Sequence, residues 1–387
     1  ELRLRGHKVD LISCGPAIDF VHRLPEGVRP YQLGPASGLR TRLAALRADP
    51  GAFLPMIRPL LLPWKTSAWP QSLTSLAEHL RGNAPDVLLA ATPFFNLTAI
   101  WARRLAGVPT RVIVGEHTSV RATLLSAPRW ERRFLLPLMS RTYAQADAVV
   151  SVSKALADEF AEVADFPRDR ITTIYDPVVG PEIARLRDEP VDHPWLARGQ
   201  PPVVLCLGGL AAQKDFPTLI RAFAKLRSQR PARLIILSDD EREDRRLRAD
   251  IERTIGEAGV GDAVDLPGFV LNPFAWLAKA NLFVLSSLFE GLPGALIEAM
   301  ACGCPVVSTD CPTGPREILQ SGRFGPLVPV GDPEAMAEAM GIVLDSPPPA
   351  RILEARAADF SVKASIDKYE ALMFDALPEP AALRPAA

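Results

Sequence analysis

The sequence predicts an α/β protein of two consecutive doubly wound units, each a parallel sheet covered by helices. Three observations predict it. Short β-branched runs alternate with helical stretches along the chain. The runs are apolar on both faces, as strands buried between two helical layers must be. A proline-rich break near the middle separates one series of runs from the next.

Taken in order, the chain opens with Glu-Leu-Arg-Leu-Arg-Gly-His-Lys, which reads as a helix end turning into a strand. A doubly wound domain has a first strand that precedes its first helix and lies mid-sheet. The first domain therefore reads as lacking its first strand, as from a truncated or mis-started reading frame. Val9–Cys14, Asp86–Ala90, Arg111–Gly115, Ala148–Ser153 and Arg170–Tyr175 are its predicted strands. Asp176–Gln200 carries Pro177, Pro181, Pro190 and Pro194 with no sustained period, and reads as the connection. Val203–Gly208, Arg233–Ser238, Ala263–Leu266, Leu282–Ser286 and Pro305–Thr309 are the strands of the second series. Ser361–Phe374 is a last amphipathic helix before a Pro/Ala-rich frayed end. The expected domains are residues 1–175 (incomplete), a linker 176–200, residues 201–358, and 359–387, whose helix packs back toward the first domain. A ligand cleft between the two units follows, since such sheets bind at the carboxyl ends of their strands.

Composition narrows the class. The 387 residues are 48% hydrophobic and 23% charged, an ordinary globular mix. Net charge is -1. Residues 1–175 hold 22 Lys and Arg against 15 Asp and Glu, and the remainder holds 22 against 30. Such asymmetry reads either as a face toward an anionic surface or as uneven solvated charge. Five scattered cysteines fit a reducing compartment rather than disulfide staples. Cys302, Cys304 and Cys311 lie close, but no histidine is near and a fourth zinc ligand is missing, so no metal site is expected. No apolar run reaches the ~18 residues of a membrane span, and no signal segment opens the chain. The expected location is cytoplasmic, with peripheral contact to the inner membrane face as one possibility.

Two stretches carry chemistry. After the predicted strand at Leu282–Ser286 comes a Gly/Pro loop with Glu290, Gly291, Leu292 and Pro293, then a helix from about Gly294 and Ala295 to Gly303. This sets backbone N–H groups and a positive helix end at a sheet edge, where diphosphate binds well. Glu290 precedes the helix and Glu298 sits about one turn inside it, so one carboxylate can face a sugar and the other ribose hydroxyls. Spacing alone fits a loop Glu and a solvated helix Glu as well. In the second stretch, Val203–Gly208 runs into Gly209 and then Gln213-Lys214-Asp215-Phe216. The glycines Gly208 and Gly209 let backbone approach a ligand, and Lys214 offers a point charge for phosphate. The P-loop spacing is absent.

Together these stretches resemble the nucleotide-sugar-dependent retaining glycosyltransferases of the two-domain GT-B fold, family 4. The resemblance is close from Pro202 to about Asp332. It includes the Glu-x7-Glu element at Glu290 and Glu298, Pro267-Gly268-Phe269, and Thr309 through Ile318. It implies that residues 1–175 face the acceptor and 201–358 bind the nucleotide sugar. It further implies that Glu298 binds ribose, Glu290 contacts the donor sugar, and Gly291–Ala295 line sugar and diphosphate. Lys214 would neutralise the leaving diphosphate, and Phe269 and Val270 would meet the base. His117, after a first-domain strand, resembles the histidine that orients the transferred sugar, a reading favoured over a structural His at a strand end. Metal-independent chemistry without a cofactor is implied.

Three positions depart from that family. Gly209 stands where an arginine is usual, shifting phosphate compensation to Lys214 or Arg316. Ser238-Asp239-Asp240 replaces a Gly-Glu-Gly turn with an acidic one, and Asp176 replaces a frequent Asn. On the acceptor side, residues 38–70 mix Arg40, Arg42, Arg47, Arg58 and Lys65 with Phe53, Trp64 and Trp69. A further basic cluster is Arg129, Arg132, Arg133 and Arg141. Contact with an anionic membrane and ordinary helices with solvated arginines both fit. No nucleic-acid motif is present. The expected function is retaining transfer from a nucleoside-diphosphate sugar, UDP-linked, to a cell-envelope glycan or lipid-linked acceptor. The alternatives are a nucleotide-sugar epimerase of the same fold and a non-catalytic nucleotide-sugar-binding fragment.

Overall fold

The structure, a computed structural model, describes residues 1–14, 24–34, 38–52, 72–126, 129–238 and 245–374. The chain forms two compact units. The first holds Glu1–Val152, Leu156–Ile174 and Ile366–Ala387; the second holds Ser153–Ala155 and Tyr175–Ser365.

In the first unit, β1 (Val9–Cys14) and β2 (Val28–Leu33) make a parallel ladder of their own. A second parallel sheet runs in simple order through β3 (Val87–Ala91), β4 (Arg111–Glu116), β5 (Ala148–Ser151) and β6 (Ile171–Thr173). The reversal of a doubly wound order is not seen in this sheet, because no described strand bridges β1 to β3. β4 shows why its residues were readable as a strand. Val112 and Val114 face a core with Leu97, Ile100 and Trp101 of the helix Pro93–Ala106 and Phe160 of the helix Lys154–Ala164. Ile113, on the opposite face, packs with Val150, Ile174, Tyr369 and Met373, the last two from the helix Val362–Phe374. Each fully buried side chain of this size stabilises by roughly 1.5–3 kcal/mol. β2 went unpredicted: Val28-Arg29-Pro30-Tyr31 breaks the apolar run, and only Leu33 of the strand is buried.

The second unit has one parallel sheet of β7 (Val203–Leu207), β8 (Arg233–Leu237), β9 (Val264–Gly268), β10 (Leu282–Leu285), β11 (Val306–Thr309) and β12 (Leu327–Val328). Its order is β12-β11-β10-β7-β8-β9. The chain winds outward from β7 to β9, then returns to the other side of β7 for β10. The order therefore reverses between β7 and β10. Helices start where caps permit: Asp215, Asn272 and Asp332 each accept a backbone N–H, from Thr218, Ala275 and Ala335. The core gathers Val204, Leu219, Phe223, Ile236, Leu282, Met336 and Met340, all exposed by 0%. No helix among the described residues is long and apolar enough to cross a membrane.

Candidate active site

Open α/β sheets bind ligands at the carboxyl ends of their strands, where the strand order reverses. In the second unit that point lies between β7 and β10. β7 leads into Gly208-Gly209, and β10 into the loop from Ser286 to Pro293. Both glutamate-bearing and lysine-bearing stretches therefore converge there.

Lys214 closes a 3-10 turn, Ala212–Lys214, and the next residue, Asp215, takes a left-handed φ of 44° to cap the helix Phe216–Gln229. The lysine stem lies over Gly208: a Cβ at Gly208 would stand 3.1 Å from Lys214 Cε. At its tip, Lys214 Nζ donates to Glu290 Oε1 at 2.7 Å, and Ser287 Oγ donates to the same oxygen at 2.6 Å. Glu290 is 7% exposed, so this ion pair works in reduced dielectric. The surrounding loop is tied down by backbone acceptors. Gln213 Nε2 donates to Phe289 O at 2.7 Å, Thr309 Oγ1 to Ser287 O at 2.6 Å and Ser153 Oγ to Gly291 O at 3.0 Å. Thr313 Oγ1 donates to Glu290 O.

The helix Gly294–Ala301 begins after Pro293, with no side chain capping its first N–H groups. Leu296 N turns back on Pro293 O at 3.1 Å, while the N–H groups of Gly294 and Ala295 find no acceptor among the described residues and favour an anion. Gly291, Leu292 and Pro293 are buried; Gly294 and Ala295 are half-buried. Glu298 is half-buried, and burial raises its pKa above the ordinary carboxylate range. Its carboxylate makes no hydrogen bond among the described residues. Gly209 has nothing within 4 Å of an added Cβ. Phe269, 48% exposed, and half-buried Val270 follow β9, which lies beyond β8 from β7.

The geometry thus joins Lys214 and Glu290, which the sequence motifs assign to separate tasks. It leaves Glu298 and Phe269 apart from that pair. Arg316 is engaged by Asp310, its Nε 3.1 Å from Oδ1, so its guanidinium is already compensated. Asp239 and Asp240 lie outside the described residues, as does most of the basic stretch 38–70. Cys302, Cys304 and Cys311 are buried, and burial pushes the thiols of Cys302 and Cys311 up to about 12.

His117 follows β4 in the first unit and is half-buried. Its Nε2 lies 3.0 Å from the place a Cβ of Gly115 would occupy. Next to it, Glu116 is 1% exposed; its Oε1 accepts from Tyr143 OH at 2.5 Å and from Asn96 Nδ2 at 3.1 Å. This cluster belongs to no sequence motif. Its one signal was a charged residue ending an otherwise apolar strand, Val112-Ile113-Val114-Gly115-Glu116.

Comparisons with known proteins match both parts of the chain. Residues 201–346 match the family model described as "Glycosyl transferases group 1", and residues 1–177 match "Glycosyl transferase 4-like domain". The chain is 28% identical over 252 residues to N-acetylgalactosamine-N,N'-diacetylbacillosaminyl-diphospho-undecaprenol 4-alpha-N-acetylgalactosaminyltransferase of Campylobacter jejuni, covering 65% of this chain and 64% of that protein. It is 33% identical over 177 residues to the lipopolysaccharide core biosynthesis glycosyltransferase LpsE of Rhizobium meliloti, covering 44% of this chain and 49% of that one. The match spans less than two thirds of the length of either relative. Among solved structures, Anabaena HepE in complex with UDP and glucose has the same fold, with a TM-score of 0.67 and 18% identity over 89% of this chain and 86% of that one.

Proposed function

The chain belongs to the group 1 glycosyltransferases with the GT-B fold, and from that premise we propose that it transfers a sugar from a UDP-sugar to a cell-envelope glycan or lipid-linked acceptor, with retention of anomeric configuration. The observation that carries this reading is the meeting of Lys214 and Glu290 at the strand-order reversal, beside the uncapped start of the helix Gly294–Ala301. The diphosphate takes the helix N–H groups and draws the Lys214 ammonium from Glu290, which is then released toward the sugar. As the glycosidic bond breaks, Lys214 and the helix end stabilise the charge developing on the leaving diphosphate. No metal ion is required for that task. Glu298, with no partner of its own, accepts from ribose hydroxyls. The acceptor hydroxyl attacks the same face that the diphosphate leaves, and the departing phosphate oxygen takes its proton. His117 orients the transferred sugar. The lipid-linked acceptor is supported by the name of the Campylobacter relative, which includes diphospho-undecaprenol, and with such an acceptor the reaction would run at the cytoplasmic membrane surface.

The test is calorimetric binding of UDP with and without EDTA. We expect wild-type affinity to be indifferent to EDTA and Glu298→Ala to lose it roughly tenfold or more, the scale of one or two charged hydrogen bonds. Unchanged affinity in Glu298→Ala removes the ribose assignment.

A further inference from the structure

The buried cluster beneath β4 has no task in the transfer just described. Glu116 is 1% exposed, and an isolated buried carboxylate is costly unless hydrogen-bonded. Its donors come from two helices: Tyr143 ends the helix Arg129–Tyr143, and Asn96 lies in the first turn of the helix Pro93–Ala106. Asn96 Nδ2 also donates to Gly115 O at 2.9 Å and Tyr143 OH at 2.9 Å. Its Oδ1 is buried without a partner, so the amide is oriented by its acceptors alone. Thr92 N donates to Gly115 O at 3.2 Å, and Thr92 holds a φ of 77°, a left-handed value that costs a non-glycine residue strain. Val152 N donates to Glu116 O at 3.2 Å. The carboxyl ends of β3, β4 and β5 are therefore clamped around the residue before His117, whose ring folds back against Gly115.

We propose that Glu116 is a positioning residue that acts through His117: held by Tyr143 and Asn96, it fixes the strand end that carries the imidazole. The inference rests on the reading of His117 given above. Among the described residues, Tyr143 and Asn96 face Glu116 from the two helices, His117 follows it in the chain, and the helix Lys154–Ala164 packs Phe160 on Tyr143 at 5.4 Å. Burial holds the Glu116 carboxyl up to about 7, opposed by the bonds from Tyr143 and Asn96 and by the charge of His117. A charge on either of the two side chains therefore acts on the other, weakly compared with burial. When Glu116 ionises, its charge favours the imidazolium.

The experiment is an NMR titration of the His117 ring in the whole chain. In the native protein two inflections are expected in the His117 signal, one of them reporting Glu116. In Glu116→Gln one inflection remains, with a midpoint lower by roughly half a unit or more. Tyr143→Phe keeps the carboxyl but removes a donor that favours its charged form, so the Glu116 inflection moves up. A His117 titration unchanged in Glu116→Gln overturns the proposal. Sugar transfer then gives a separate readout. Glu116→Gln should lower kcat and reshape its pH profile at unchanged donor KM. If His117→Ala transfers sugar as the native chain does, the role of His117 falls, while the measured coupling shows whether the pairing of the two side chains was right.

Discussion

Gly314 stands at φ 85°, and a Cβ there would lie 2.5 Å from Pro293 Cδ and 3.0 Å from Gly291 O. Both obstacles are parts of the loop that leads into the helix Gly294–Ala301. Gly314→Ala should therefore weaken UDP binding and lower stability together, by about 1–3 kcal/mol from strain and displacement. Thermal unfolding and calorimetry on one preparation check both; a folded, full-affinity variant contradicts the close approach. The sequence signals Gly314 only as one member of a motif, because a close approach made across the fold leaves no local pattern. Lys214 and Glu290 are legible in the same way, as charged residues on the loops that follow two strands. That they bond to one another is not, since 76 residues separate them and nothing in either loop encodes the other. Glu116, Asn96 and Tyr143 are less legible still: each is an ordinary residue of its own strand or helix, and only packing makes them a cluster.

Among the elements, β4 joins a hydrophobic interior to a buried acid, and the combination sets a pH dependence. The Glu116 carboxyl rises from 4.5 to about 7 on folding. Between those values the folded chain holds a proton that the unfolded chain has lost. Stability from this group is thus fully present below pH 4.5 and is lost as pH rises through 7, by roughly 3 kcal/mol in all. Glu116→Gln removes the dependence. Its unfolding free energy relative to the native chain should be higher at pH 8 than at pH 5, as denaturant titrations at the two values will read; a constant difference contradicts the buried acid. The strands themselves were readable wherever both faces are covered. β7 and β10 are continuous apolar runs and β8 is one after Arg233, as strands under two helical layers must be, while β11 is apolar only at Val306 and Val307. β2 and β12 escaped for physical reasons: the first is half-exposed and interrupted by Pro30, and the second has two residues, too short to show a period.

On the scale of the whole molecule, the first unit is completed from the far end of the chain. Arg5 Nη1 meets Asp367 Oδ1 at 2.7 Å, His7 Nε2 lies 2.8 Å from Glu370 Oε1, and the His7 ring stacks on Phe374 at 5.0 Å. Tyr369 and Met373 cover Ile113 and Val150. Met373→Ala should destabilise the first unit by about 2–5 kcal/mol, the usual range for deleting a buried methionine. Hydrogen exchange of the β4 and β5 amides should speed up while β7 and β8 stay protected. Equal loosening of both units would contradict the assignment of this helix to the first. The sequence shows this helix by its period and expects it to pack toward the first domain, while the residues it covers there come only from the fold.

That docking also sets a timetable during synthesis. Ile174 leaves the ribosome roughly 190 residues before Ile366, an interval of about 10–40 s at ordinary translation rates. Through that interval the outer face of β4 and β5 waits uncovered while the second unit gathers its own core. The half made first is thus the half finished last.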